Sequence, residues 1–266
     1  MNDALTTDSI AASLRGGFGT PLRYYPSIGS TNEDAMRWAD DGAPEGAVVG
    51  AEHQTAGRGR WGRTWSSQPG SLLQTSTVLR PNLPVLDAGV ITTSIGVACA
   101  RAVEEVSGLE VGLKWPNDVN IAGKKVAGIL VESRVDDRGI ITVAIAGVGI
   151  NANWAIADMP EEIRERATSI SVATGSPVDR LELIAAYLLA LESVYGLIRT
   201  ERRDEVIVEA VMRSEILERD VVVRFLDGST MTGRATGIDP SGALKLETAG
   251  RTELIHVGEI EQLRPV

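Results

Sequence analysis

Residues 54–65 read Gln54-Thr55-Ala56-Gly57-Arg58-Gly59-Arg60-Trp61-Gly62-Arg63-Thr64-Trp65, and the fold turns on how this stretch is taken. Gly57 to Gly62 satisfies G-x-G-x-x-G, the dinucleotide fingerprint. That fingerprint needs a helix opening at the third glycine and an acidic residue about 20 positions on. Here Thr64-Trp65-Ser66-Ser67-Gln68-Pro69-Gly70 follows, which has the composition of a loop, and no Asp or Glu occurs between Arg63 and Leu86. A Rossmann fold is rejected. What remains is a loop with Arg58, Arg60 and Arg63 inside six residues of a chain whose net charge is −10. Cations this close repel one another, and an anion would relieve that repulsion through charge-assisted hydrogen bonds. The loop is expected to clamp an anion and to be poorly ordered when empty. A solvated basic turn is the competing reading; two tryptophans interleaved with the arginines favour the clamp.

The rest of the composition narrows the class. A chain of 266 residues, 43% hydrophobic, holds one large domain and a small one. The acidic balance argues against a general nucleic-acid or anionic-membrane binder, while leaving room for a small anion held by a local cluster. No uninterrupted apolar run reaches the length of a membrane span, and the N-terminus lacks the pattern of a signal peptide. Cys99, the only cysteine, fits a buried thiol in a reducing compartment, so a cytoplasmic location is expected. His53 and His256 have no companion at metal-ligand spacing and are read as structural.

Outward from the loop, residues 4–15 read as a helix and 21–28 as a strand. Ser30-Thr31-Asn32-Glu33 forms a capping box for a helix running to about Asp40. Such a helix start offers free N–H groups to a ligand, although a plain cap is the simpler reading. Residues 47–53 and 71–79 read as strands, 81–84 as a turn and 87–106 as a helix ended by Gly108. Residues 112–119 enter as a strand marked by Pro116 as a bulge or edge. Ala122-Gly123-Lys124 turns the chain, and 125–132 return. Strict alternation puts Lys125 and Ala127 on one face and Val126 and Gly128 on the other. Gly128 in mid-strand implies a close approach by backbone or ligand. Residues 140–148 are a strongly apolar strand. Helices follow at about 178–199 and 203–215. From Glu218 short strands alternate with Asp-Gly-type turns, which predicts an appended β-barrel of about fifty residues.

These segments resemble the biotin protein ligases. The matching pieces are Ser30-Thr31-Asn32, Gln54 with Gly57-Arg58-Gly59-Arg60 through Trp65, Lys114-Trp115-Pro116-Asn117-Asp118, Lys125 to Glu132, and Gly147-Val148-Gly149-Ile150-Asn151. The resemblance implies an α+β architecture. Residues 1–217 would form a mixed-sheet catalytic domain and 218–266 an SH3-like barrel. It implies ATP-dependent activation of biotin as biotinyl-5′-AMP, with Mg2+ as the metal, and transfer to a lysine of a biotin carboxyl carrier domain. About twenty residues precede the first strand, too few for the winged-helix DNA-binding domain of some members, so a ligase without DNA or membrane partners is expected, as a monomer or weak homodimer.

The resemblance also implies roles. Ser30, Thr31, Asn32 and Gln54 would hold biotin's ureido head, with Gly57, Arg58, Gly59, Arg60, Lys125 and Gly128 completing the biotin site. Arg60, Arg63, Trp65, Asn117, Asp118 and Asn151 would hold ATP or the adenylate. Lys125 and Arg58 would be catalytic. The metal ligands are left open, with Mg2+ carried by phosphates and Asp118 as a possible ligand. Lys114 is either a partner of Asp118 or a phosphate contact, and Trp115 is read as core. A lipoate-type acyl-adenylate ligase and a non-enzymatic biotinyl-AMP-binding regulator are the alternatives.

Overall fold

The computed structural model describes residues 5–65, 68–200, 202–257 and 260–266. In chain order the elements are α1 (Thr7–Ser13), β1 (Leu22–Tyr25), α2 (Thr31–Asp40), β2 (Val48–Ala51), β3 (Leu72–Leu79), β4 (Leu83–Pro84), α3 (Ala88–Ser107), β5 (Gly112–Lys114), β6 (Asp118–Ile121), β7 (Lys124–Val135), β8 (Ile140–Asn151), α4 (Glu161–Arg164), α5 (Ile170–Thr174), α6 (Arg180–Arg199) and α7 (Arg203–Met212). They build a mixed sheet in the order β1-β2-β3-β8-β7-β6-β5, with β4 added to β8. Among these strands only the β1–β2 pair is parallel. The second unit is an antiparallel sheet of β9 (Asp220–Phe225), β10 (Thr230–Ile238), β11 (Leu244–Thr248), β12 (Arg251–Ile255) and β13 (Ile260–Pro265), in the order β12-β11-β10-β9-β13. This is the α+β architecture expected, with its SH3-like barrel.

Three readings along the strands change. The turn expected at 81–84 contains β4, which pairs with Ile140 and Ile141. The strand expected over 112–119 breaks into β5 and β6, which pair across the Trp115-Pro116-Asn117 turn with Lys114 opposite Asp118; proline cannot supply the ladder N–H, so the chain reverses there. β5 is an outer strand, and its edge is covered: Leu113 donates to the Arg213 carbonyl and receives the Glu215 N–H. The third change, at Lys125, concerns the site and is described below.

The two long helices α3 and α6 pack on each other against the sheet and carry most of the core, including Ile91, Ile95, Leu183, Tyr187 and Leu191. By length and composition, residues 85–107 and 180–199 could each cross a membrane. Their burial inside the protein accounts for that apolar character. Cys99 sits in this core, wholly buried, its thiol pushed up to about 12 by desolvation. The other sheet face carries α2 through a smaller cluster of Ala35, Ala39, Val49, Val78 and Ile145. Small residues there bring α2 close to the strands, which sets its first turn over the middle of the sheet.

Candidate active site

The α2 end of this second face gathers polar side chains. Ser30, in extended conformation, accepts the Glu33 N–H at 3.5 Å. The reciprocal half of the capping box is not made: the Glu33 carboxylate lies 3.2 Å from the Arg58 guanidinium, a stronger partner than a backbone N–H. Thr31 and Asn32 are buried. The Thr31 N–H donates to Gln54 Oε1 at 2.8 Å, and Gln54 Nε2 donates to Gln74 Oε1 at 2.8 Å. Ser76 Oγ lies 2.8 Å from Thr31 Oγ1 and 2.6 Å from Asn32 Oδ1. Asn32 Nδ2 donates to Glu132 Oε2 at 2.8 Å. Gln74, Ser76 and Glu132 were not anticipated. The run Gln74-Thr75-Ser76-Thr77 is polar at every position, so its alternation offered no contrast between faces.

Beside this network the sheet forms a trough. Gln74, Gly149, Gly128 and Asp118 stand opposite one another across β3, β8, β7 and β6. Trp65 roofs the two glycines: a Cβ would come within 2.5 Å of its indole at Gly149 and 3.0 Å at Gly128. The close approach inferred at Gly128 is thus filled by Trp65 and by Lys125, whose Nζ lies 3.1 Å from the Gly128 Cβ position. Strict alternation would have put Lys125 on the opposite face. The β6–β7 register shifts by one residue, Val119 opposite Ala127 but Asn120 opposite Lys125. Val126 is the extra residue of this β-bulge, and bulges re-aim side chains in this way. Lys125 Nζ is then 2.5 Å from Asp118 Oδ1 and 5.5 Å from the Trp65 ring centre. Its backbone is pinned from outside as well, by the Arg166 carbonyl and the Thr168 N–H.

The arginine loop is a hairpin joined at its base. Trp65 N–H donates to the Gly57 carbonyl at 2.9 Å and Gly59 N–H to the Arg63 carbonyl at 2.7 Å. Two of the cations expected to repel one another have partners within the protein. Arg58 lies 3.2 Å from both Glu33 and Glu132. Arg60 donates to the Val257 carbonyl of the barrel at 2.6 Å and approaches Asn117 Oδ1 at 3.4 Å. Burial lowers the Arg60 guanidinium to about 10, with the Asp118 charge opposing the shift and Arg63 adding to it, so Arg60 stays cationic at neutral pH. Arg63 itself is exposed.

Residues 24–151 match the Biotin/lipoate A/B protein ligase family, and residues 216–262 the Biotin protein ligase C terminal domain. The Biotin--[acetyl-CoA-carboxylase] ligase of Mycobacterium tuberculosis is 34% identical over 91% of this chain and 89% of its own. The chain belongs to the biotin protein ligases. The Bifunctional ligase/repressor BirA of Bacillus subtilis is 37% identical, over 91% of this chain and 74% of its own length. Among solved structures, the biotin protein ligase of Aquifex aeolicus in complex with biotin and ATP superposes with a TM-score of 0.79, at 30% identity, covering 92% of this chain and 99% of that one. That of Leishmania major in complex with biotinyl-5-AMP gives 0.60 at 26% identity, over 89% and 98%.

In this biotin protein ligase several expected residues lie off the trough. Asn151 shares the Gly149 face but is buried, its amide donating to the Thr168 carbonyl at 2.9 Å and its Oδ1 unpartnered among the described residues. Its burial keeps the side chain from an adenine contact in this conformation. Asn117 Nδ2 donates to the Ile129 carbonyl at 3.0 Å and so braces the turn before β6. Asp118 is engaged by Lys125, which leaves Lys114 without the carboxylate offered as its partner. Trp115 is core, as read, and its indole N–H also donates to the Gly242 carbonyl of the barrel at 3.0 Å. Among the described residues no three of His, Cys, Asp and Glu gather as a metal cage. One carboxylate already paired with an ammonium fits Mg2+ carried on phosphate oxygens, the usual mode for this small, reluctantly dehydrated ion.

Proposed function

We propose that this trough joins biotin to ATP and passes the biotinyl group to a lysine of a biotin carboxyl carrier domain. The observation that carries the reading is the position of Lys125: its ammonium stands on the glycine floor, under Trp65, between the polar network at Thr31 and the cation Arg60. A thin apolar chain lying along the trough, against the Trp65 indole that covers Gly128 and Gly149, would have its polar head at Thr31 and Gln54 and its carboxylate at Lys125. In the first step the carboxylate oxygen attacks the α-phosphorus and pyrophosphate leaves, with no proton changing hands. In the second the lysine ε-amine attacks the mixed anhydride, sheds a proton and releases AMP. Both steps concentrate negative charge at one place, so positioning and fixed cations do the catalytic work. Lys125 would exchange Asp118 for the carboxylate and α-phosphate oxygens. Arg58 would exchange Glu33 for the same anion, and Arg60 and Arg63 would hold the nucleotide side. Asp118 would be the carboxylate to touch Mg2+ brought with ATP, an ion that would supply further charge neutralisation to the phosphates. Trp65 excludes water from the anhydride.

ATP–pyrophosphate exchange tests the first half-reaction. Exchange should depend on biotin, should need no acceptor protein, and should not be supported by lipoate. Exchange driven equally by lipoate would turn the assignment to the other branch of the family. Transfer is tested by adding a carrier domain and detecting its biotinylated lysine by mass spectrometry.

A further inference from the structure

Glu132 has no role in the chemistry above, yet it ends the hydrogen-bond chain of the head-group pocket and touches the arginine loop. Its Oε2 accepts from Asn32 Nδ2 at 2.8 Å, and its Oε1 lies 3.2 Å from Arg58 Nη2. A carboxylate only accepts, and the Leu130 carbonyl, 3.3 Å from the same nitrogen, also only accepts. Together they fix the Asn32 amide with Nδ2 towards β7 and Oδ1 towards Ser76. Ser76 has a single proton, and at 2.6 Å it must donate it to Asn32 Oδ1. At its 2.8 Å contact with Thr31 Oγ1, Ser76 is therefore the acceptor, and the Thr31 hydroxyl points to it rather than to the longer, 3.1 Å contact with Gln54. Gln54 Oε1 keeps the Thr31 backbone N–H, and Gln54 Nε2 keeps Gln74. Both lone pairs of Thr31 Oγ1 are left for a ligand N–H.

We infer that Glu132 is a specificity-determining positioning residue, which sets the donor and acceptor polarity of the head-group pocket through Asn32, Ser76 and Thr31. The inference rests on reading that pocket as the site of the ureido ring. Without the Glu132 acceptor only the longer, 3.3 Å contact with the Leu130 carbonyl holds the Asn32 amide, which can then turn over. Nδ2 would then donate to Ser76, Ser76 to Thr31 and Thr31 to Gln54, which uses up one of the two acceptor positions of Thr31. Glu132→Gln keeps an acceptor oxygen for Asn32 while removing the charge beside Arg58, so the two possible contributions of Glu132 separate.

Calorimetric titration of wild type, Glu132→Ala and Glu132→Gln with biotin and with biotin methylated on a ureido nitrogen tests this. The methyl group replaces one N–H that Thr31 Oγ1 would accept. The Ala variant should bind biotin at least ten-fold more weakly and discriminate less between the two ligands. The KM for ATP should hold, and kcat at saturating biotin should stay within a few-fold. The Gln variant should recover most of both the affinity and the discrimination. Should the Ala variant fail to fold, Glu132→Met fills the same space without an acceptor and carries the same expectation. Unchanged affinity and discrimination in the acceptor-less variant, or a Gln variant as weak as it, overturns the inference; the latter would assign the effect to charge beside Arg58. Wild type that does not bind biotin would instead overturn the reading of the pocket.

Discussion

At the scale of single residues, the β-bulge at Val126 is what brings Lys125 onto the Gly128 face beside Asp118. Lys125→Ala should slow biotin-dependent pyrophosphate exchange by roughly 10²–10³-fold, the effect typical of removing one preorganised electrostatic group. Its melting temperature should stay near that of wild type, because the side chain is partly exposed and contributes little to the core. Gly149→Ala should act in the opposite order, through shape. The added methyl meets the Trp65 indole at 2.5 Å, so Trp65 must lift. Biotin affinity, read by titration, should fall more than stability, since overpacking against a loop side chain relaxes more readily than in a core. Lys125 was legible in the sequence as a lysine among apolar neighbours, and Gly128, though not Gly149, as a glycine in mid-strand; each breaks a local rule. The side on which Lys125 emerges was not legible, because one inserted residue inverts the alternation and no composition signal marks it. Gln74 and Ser76 were illegible for a related reason, since Thr75 and Thr77 on the opposite face are equally polar.

At the scale of elements, the arginine loop stood out by its composition, but its partners did not, because Glu33 and Glu132 lie on distant parts of the chain. Arg58 already has a carboxylate on either side of it. A ligand anion must displace an existing ion pair, so binding should weaken with salt less than a bare cationic loop would imply. Amide exchange at Gly59, Arg63 and Trp65, whose N–H groups close the hairpin, should slow further when biotin and ATP are both present. Equal rates with and without ligands would mean a loop that does not respond. Trp61 at the tip has φ 57°, left-handed for a bulky residue, and is largely exposed. Trp61→Gly should relieve about 1–2 kcal/mol of local strain, partly offset by the greater freedom of glycine when unfolded. Pyrophosphate exchange should be nearly unchanged.

At the scale of the whole molecule, the barrel was legible as a separate module from its short strands and turns, but its attachment was not. Val221, Val223, Leu244 and Leu246 belong to the same apolar core as α3 and α6, and each such side chain contributes roughly 1.5–3 kcal/mol by burial. A chain ending near Ser214 should therefore lose cooperative unfolding, as read by denaturant titration, and not merely its ligation activity. Gly89 and Gly242 touch backbone to backbone, and a Cβ on Gly89 would lie 2.7 Å from the Ser241 carbonyl. Gly89→Ala should lower stability by about 1–3 kcal/mol. It should also slow exchange, since Arg60 reaches the barrel at Val257. Glu52 ties the return from the loop to the core: Arg180, almost wholly buried, and Tyr24 donate to it at 2.8 Å, and the Gly70 N–H donates as well. Burial raises the Glu52 carboxyl, but these hydrogen bonds together outweigh it and hold the carboxyl below its ordinary value. A depressed carboxyl contributes stability above its unfolded pKa of about 4.3. That contribution is lost as pH falls through the lower folded value. An acid titration of stability in Glu52→Gln should show a shallower decline below pH 4 than wild type. The joined base of the hairpin carries a further consequence. Because Trp65 and Gly57 are hydrogen-bonded to each other, the loop and the indole should move together, and an opening wide enough to let an acceptor lysine in should also let water in. A slow, acceptor-independent ATP consumption is therefore expected, and its rate should follow how often the loop opens. A Cβ at Gly57 would lie 2.5 Å from the Trp65 carbonyl, so Gly57→Ala should raise that idle rate even where the first half-reaction survives.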